Sequence, residues 1–470
     1  MLSSQRALVL LVCLVLVIAA CGGGPPSNPQ PPPGAQTAPV SVTIRDTPPV
    51  GVTILSFEIT VSSAVLQPGN VQLVTSPIEV EIKQLEIETD LLSTINVPAG
   101  TYTSIAITFT NPEITIRNDA GLSLPGCATV GAICEFRPGG MATVTYSGQP
   151  FPLNVMANSP LNLLIDVNLA TVISNALGVD FTQPGGVTVS VVPAVLGVFD
   201  EIEDVAGRVT ALDAANNRFT LQVSPTVSLD VSVNAGTEFE DFDDIGCATA
   251  NLACVAVNQL VEVDLELMAG GALVAEEVEL LDNDNEEELE GVIVDASTLP
   301  ASFTMVLLEE IIDVPGIDVG LPVQVNILPN PRFRIDDDDL DTTGLQFATT
   351  SDLIVGQRVE VEKQTALSGA TPPAFDTDRI KLKDSRFTAR VQSVSVANSS
   401  FVVDNLPGLF TANGVTAIEV RITAAETEFE DVSGLAALTA GDTVSLRGLL
   451  FRNVANTAMP ILAAEKVRRR

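Results

Sequence analysis

The residue types that could carry chemistry are few and unevenly placed. The 470-residue chain contains no His. A Ser-His-Asp or Cys-His relay, a His-ligated zinc and an HExxH protease site are therefore excluded. Six Cys are present, and four of them fall into two similar loops. These are Gly126-Cys127-Ala128-Thr129 to Cys134 and Gly246-Cys247-Ala248-Thr249 to Cys254, with six residues between the sulfurs in each. In an exported chain this spacing reads as two local disulfides, Cys127–Cys134 and Cys247–Cys254, each restricting the unfolded chain by about 2–3 kcal/mol. The rival, one four-thiolate metal site, lacks C-x-x-C spacing and would have to draw on two separate domains.

Carboxylates are the other candidates. Asp and Glu number 59 against 23 Lys and Arg, a formal charge of −36. That balance argues against any role that neutralises nucleic-acid phosphates. Three acidic runs, 238–244, 282–288 and 336–339, offer oxygen ligands for Ca²⁺. The candidate ligands are Asp282, Asp284 and Glu286, which begin like an EF-hand loop, together with Asp336 and Asp338. Glu287 stands where that loop needs Gly, and the run falls between two repeats. A solvated acidic surface is the preferred reading, so no cofactor is assigned and Ca²⁺ stays an alternative. A carboxylate pair could serve a glycosidase, but there is no Trp and the only Tyr are Tyr102 and Tyr146. No phosphate-cradling Gly motif occurs. A non-enzyme is expected. The basic end, Lys466-Val467-Arg468-Arg469-Arg470, reads as a solvated tail, with contact to an acidic partner or phosphate as the alternative.

The N-terminus supplies an address. Residues 1–20 have the form of an export signal: Arg6, an apolar core Ala7–Ile18, then small Ala19-Ala20. The core is too short to span a bilayer, and Gly22-Gly23-Gly24 follows at once. Ile18-Ala19-Ala20-Cys21 resembles the lipobox of bacterial lipoproteins, which implies cleavage before Cys21 and acylation of its sulfur. Gly22 is not the Asp that marks inner-membrane retention in enterobacteria, so an outer-membrane anchor in the cell envelope is expected. Residues 21–39 are rich in Pro and Gly and read as an extended stalk of about 3 Å per residue.

The remaining chain must position whatever function exists, and its pattern is β. Period-two alternation recurs at 105–109, 187–191, 229–233, 261–267, 323–327, 359–361 and 418–422, with Gly, Pro, Asn and Asp between. Ile78–Glu88 alternates with a phase slip at Gln84, which predicts a bulged strand. Leu161–Leu177 fits one helix or two strands. The expected fold is all-β: an N-terminal β-sandwich over 40–198, then three small OB-like β-barrel repeats over 203–282, 287–384 and 386–468.

The sandwich segment opens Ser41-Val42-Thr43-Ile44-Arg45-Asp46-Thr47-Pro48 and later carries Val97-Pro98-Ala99-Gly100-Thr101-Tyr102. In these turns it resembles domain of unknown function 4382, a bacterial lipoprotein family. The repeats share an order: a G-x-V strand, a Phe strand, a Thr-x-Phe turn, a Gly-x-x-Val-x-Val strand and a closing Ala-x-x-Val strand. That order resembles domain of unknown function 5666, an envelope module, and the name implies no activity. Copy one lacks the Gly before Val261-Glu262-Val263. Copy two lacks Thr-Glu-Phe, and copy three has Ala389 where Gly is wanted. Together these features predict a lipid-anchored, non-enzymatic binding or scaffold module for an unknown envelope protein or polymer, its tandem barrels giving an extended array. A Ca²⁺-dependent adhesin or polymer-binding protein is the alternative, and an envelope hydrolase a third reading.

Overall fold

Alternating sequence becomes strand at each of the seven runs named above. The structure is a computed structural model. It describes residues 36–470 except 48–52, 120, 122, 123, 125, 175, 176, 224–226, 243, 244, 248, 282–286, 311–317, 337–339 and 425. The export signal, Cys21, most of the stalk, and Asp282, Asp284, Glu286 and Asp338 lie outside the described residues. Helix is confined among the described residues to single turns such as Leu169–Val172 and Gly408–Ala412. The fold is all-β.

The N-terminal body is a sandwich. One sheet orders its strands Val187–Val192, Leu161–Asn168, Thr37–Thr47 and Asp90–Pro98, with Thr37–Thr47 parallel to Leu161–Asn168. The facing sheet is built on the pairing of Ile54–Gln67 with Ser104–Arg117. Val40, Val42 and Ile44 from one sheet meet Phe57, Ile59, Val61, Ile107 and Phe109 from the other in a single apolar core. Each such side chain contributes about 1.5–3 kcal/mol by leaving water. Tyr102 plugs the edge of this core and donates its hydroxyl to the Pro98 carbonyl at 2.9 Å, which explains the Pro-Ala-Gly-x-Tyr turn.

Two local expectations are corrected. The slip at Gln84 is a 3₁₀ turn, Ile82–Glu86, after the strand Ile78–Glu81, and no bulge. The Glu81 carboxylate accepts from the Lys83 amide at 3.0 Å and the Phe57 amide at 2.7 Å, which favours the turn over continued strand. Leu161–Leu177 divides into a strand to Asn168 and one helical turn. Thr37-Ala38-Pro39, grouped by composition with the stalk, is already strand, and Ala38 is fully buried.

Three closed five-stranded barrels follow. The first uses Gly207–Asp213, Arg218–Gln222, Ser228–Ser232, Leu260–Met268 and Leu273–Leu281. The second uses Glu287–Asp295, Ser302–Glu310, Pro322–Ile335, Arg358–Lys363 and Ala374–Lys383. The third uses Ser385–Ser395, Ser400–Asp404, Ile418–Ile422, Thr443–Phe451 and Ile461–Arg469. In each the strands close in the order 1-2-3-5-4-1, with the third and fifth parallel. This is the OB-like arrangement.

The departures among copies have physical answers. The residue entering the fourth strand is left-handed in all three: Asn258 at φ 80°, Gly356 at 94° and Gly441 at 100°. Asn tolerates this region better than other side chains, so copy one keeps the turn without Gly. In copy two Arg332-Phe333-Arg334, the end of a long third strand, pairs with Ile380 as Phe239 pairs with Val278 and Phe429 with Val467. The Thr-x-Phe turn is replaced by a continuous strand. A Cβ on Gly291 would lie 2.5 Å from the Val306 carbonyl, whereas the third barrel holds the methyl of Ala389 fully buried.

The expected extended array is also corrected, because the barrels and the sandwich pack together. Leu409, Leu449 and Phe451 of the third barrel and Leu55 of the sandwich join the core of the second. Gln357 Nε2 donates to the Leu450 carbonyl at 2.8 Å, and Thr115 Oγ1 to the Gly320 carbonyl at 2.9 Å. Substituting Gly291→Ala should cost about 1–3 kcal/mol through the forced backbone shift. Gly441→Asn, with open space around its Cβ, should cost less than about 1 kcal/mol. Thermal melting followed by circular dichroism checks both.

Candidate functional site

Alternation that fills each barrel with Val and Leu turns the intervening side chains outward. On the fourth and fifth strands of the first barrel, Val261, Val263 and Val278 face in, and Glu262, Asp264, Glu277 and Glu279 face out. The equivalent outward positions of the second barrel include Arg379, Lys381 and Lys383, and those of the third include Arg447, Lys466 and Arg468. Between Arg137 and Arg332 the chain has only two basic residues, Arg208 and Arg218. Opposite charges on equivalent faces bring the barrels together, and their meeting point is buried.

Around that point Lys383 pairs with Glu262 at 2.7 Å, and Lys381 pairs with Glu279 and, at 2.7 Å, with Asp336. Arg386 lies 2.9 Å from Glu88 of the sandwich and pairs with Asp204. Arg447 reaches Glu88 at 3.0 Å, Asp384 at 2.8 Å, Glu465 at 2.9 Å and also Glu203. Arg358 pairs with Glu290 and with Asp204 at 3.3 Å. Lys466 reaches Glu428 at 2.8 Å and Glu201 at 3.3 Å. Breaking such a pair by removing one partner strands the other charge in low dielectric.

The ionisations follow. Burial would raise Asp204, but Arg386 and Arg358 hold it well below the ordinary range. Burial likewise opposes Asp336, yet Lys383 and Lys381 lower it. Glu360, buried beside Glu279 and Glu262 as well as both lysines, is pushed up to about 7. Burial and the neighbouring Asp204 push Asp264 well above its ordinary value.

The structure redistributes the residues singled out in the sequence. Cys127–Cys134 and Cys247–Cys254 are disulfides, with Cα atoms 5.9 and 6.1 Å apart, so the four-thiolate site is excluded. Asp336 is largely shielded from solvent, and both neighbouring lysines engage it. Oxygens of Glu262, Glu279 and Asp336 lie within 4.8 Å of one another, a spacing that suits a cation. There the ammonium groups of Lys381 and Lys383 supply positive charge from the chain itself. The basic end is no solvated tail. It is the last barrel strand, with Lys466 and Arg468 buried, and Arg470 donates to the Asp46 carbonyl at 3.1 Å and the Ser445 hydroxyl at 2.9 Å. Its acidic contacts are made within the chain, Lys466 with Glu428 and Arg468 with Glu430. Lys381, Lys383, Arg386 and Arg447 were not singled out by sequence reasoning. The signal was there: like strands of different repeats carry opposite signs at the same phase.

Two further features stand out. A groove of about 620 Å³ runs between the second and third barrels. Its walls are the 295–300 and 350–355 loops on one side and 413–415 with 452–460 on the other. Leu353, Val355 and Val415 give it an apolar floor, and Arg452 ties the walls by donating to the Ser351 carbonyl. On the sandwich, Glu58 is pushed to about 9 by burial and by Glu79 beside it, and Glu113 to about 7 by burial and Glu135.

Arg447→Met leaves Glu88, Glu203, Asp384 and Glu465 without their shared cation and should cost about 3–5 kcal/mol in chemical denaturation. The pH dependence has a definite sign. Glu58, Glu113, Glu276 and Glu360 bind protons more tightly folded than unfolded, with folded values of about 9, 7, 7 and 7. Their contribution is complete below about pH 4.5 and is lost as pH rises through those values. The melting temperature should therefore be higher at pH 5.5 than at pH 8.5. Asp204 and Asp336 act in the opposite sense and lose their contribution only below about pH 4.

Residues 206–279, the first barrel, match the model of the family described as Domain of unknown function (DUF5666). No curated protein matches the chain.

Proposed function

We propose that this chain is a lipid-anchored cell-envelope protein that acts as a non-enzymatic binding or scaffold module, held through acylated Cys21 on the outer membrane. The lipobox-like Ile18-Ala19-Ala20-Cys21 and the Pro-rich stalk support the address, as does the likeness of the sandwich turns to domain of unknown function 4382. One observation carries the rest. Buried cations of types that can serve chemistry here reach groups in another body: Arg358, Lys381, Lys383, Arg386, Arg447 and Lys466 all do so. Ionised groups locked against one another hold a shape and are poorly placed to turn over substrate. What a rigid assembly offers a partner is surface, and the groove between the second and third barrels is a concavity of a size to receive one.

Metabolic labelling with an alkyne fatty acid tests the anchor. Wild type should incorporate the probe and partition with membranes, and Cys21→Ala should do neither; equal labelling of the two would refute it. Capture from solubilised envelopes, comparing wild type with Val415→Arg in the groove floor, tests the binding surface. A partner held by wild type should be lost from the variant.

A further inference from the structure

The four bodies are joined by two different kinds of contact. The second and third barrels share apolar side chains, with Leu409, Leu449 and Phe451 packed on the second barrel's core. The first barrel keeps a core of its own, joined from outside its own fold by Leu91 of the sandwich. Toward the second and third barrels it presents carboxylates, and they answer with ammonium and guanidinium groups. We propose that this face is an acid-released latch, in which protonation of its carboxylates frees the first barrel from the second and third while every body keeps its fold.

The argument rests on which charges survive a fall in pH. Lys383 and Lys381 are faced by Glu262 and Glu279 from the first barrel and by Asp336 and Glu360 from their own. Around Arg386 and Arg358 stand Glu88 from the sandwich, Asp204 from the first barrel and Glu290 from the second. Arg447 is faced by Glu88, Glu203, Asp384 and Glu465. Lys466 is faced by Glu201, Glu203 and Glu428. Asp264 and Glu277 line the same small void as Glu262 and Lys383. Once these acids are neutral, Lys381, Lys383, Arg386, Arg447 and Lys466 stay charged and buried while the carboxylates facing them are not, and hydration on separation is their best outlet.

Within the sandwich three acids respond the other way. Glu58 and Glu113 on the sandwich prefer the protonated state, so lowering the pH relieves repulsion there. Asp90, buried in the same body, is likewise raised, to about 6. Asp204 and Asp336, held ionised by the cations around them, set the release below about pH 4. At the junction itself Glu262, Asp264 and Glu360 are raised as well, so release waits on Asp204 and Asp336, while each body keeps its own apolar core.

Small-angle scattering and far-UV circular dichroism of the purified full-length protein, from pH 7 down to pH 2.5, test this. The radius of gyration should rise below about pH 4, reversibly, while the β spectrum is kept. The double variant Lys381→Met/Lys383→Met makes Glu262, Glu279 and Asp336 the stranded charges, which acid neutralises, so it should be the more expanded at pH 7 and show a smaller rise in radius on acidification. A constant radius down to pH 2.5 would overturn the latch. So would expansion that coincides with loss of the strand signal, in wild type alone if the variant does not fold.

Discussion

The placing of the first barrel against the second and third depends on one constraint: charges taken out of water must meet opposite charges. The outward face of the first barrel's closing strands is acidic, and the faces it meets bear Lys381, Lys383, Arg386, Arg447 and Lys466. Two like faces would repel by several kcal/mol at such distances, so the pairing is directional. Repeats that share a fold are thereby made non-interchangeable. The barrel interiors, filled by Val, Leu and Phe in all three copies, cannot give that instruction, since each would suit the place of another. Position is encoded on the outside of strands whose inside encodes only the fold.

How much of this was legible in the sequence follows from the range of each interaction. Strands were legible because burial imposes period two locally, and Val261–Leu267 shows it in seven residues. The local disulfides were legible because both partners lie in one short loop. The slip at Gln84 was misread because a bulge and a 3₁₀ turn shift phase alike. What separates them is a carboxylate, Glu81, reaching the amides of Phe57 and Lys83, and one of those lies 24 residues away. The junction lay further off still. Thr388 bonds Glu86 across 302 residues, and no local pattern marks such a pair.

The same reasoning explains why the acidic runs and the basic end were read as solvated. On average charged residues are exposed, and exposure needs no partner. Here the shortage of cations is itself informative. With 59 acids and 23 bases, a base that can choose among many acids is more valuable in the interior, where each pair excludes water. Lys466 and Arg468, at a terminus where fraying is the ordinary expectation, are pinned as a barrel strand. Arg470 extends the same contact onto the sandwich through the Asp46 carbonyl.

An internal ammonium pair also bears on why three close carboxylates need no metal to stand together. Glu262, Glu279 and Asp336 converge as ligands for a divalent ion do, yet a metal would have to displace two tethered cations already in contact with them. Tethering removes the dependence on ion supply and ties the neutralising charge to the second barrel's fifth strand, whose alternating Ile380 and Leu382 anchor it in the core. The lysines can reach Glu262 and Glu279 only when the first and second barrels are both folded and in register. Counter-charge is thus made conditional on assembly, which a diffusible cation would not do.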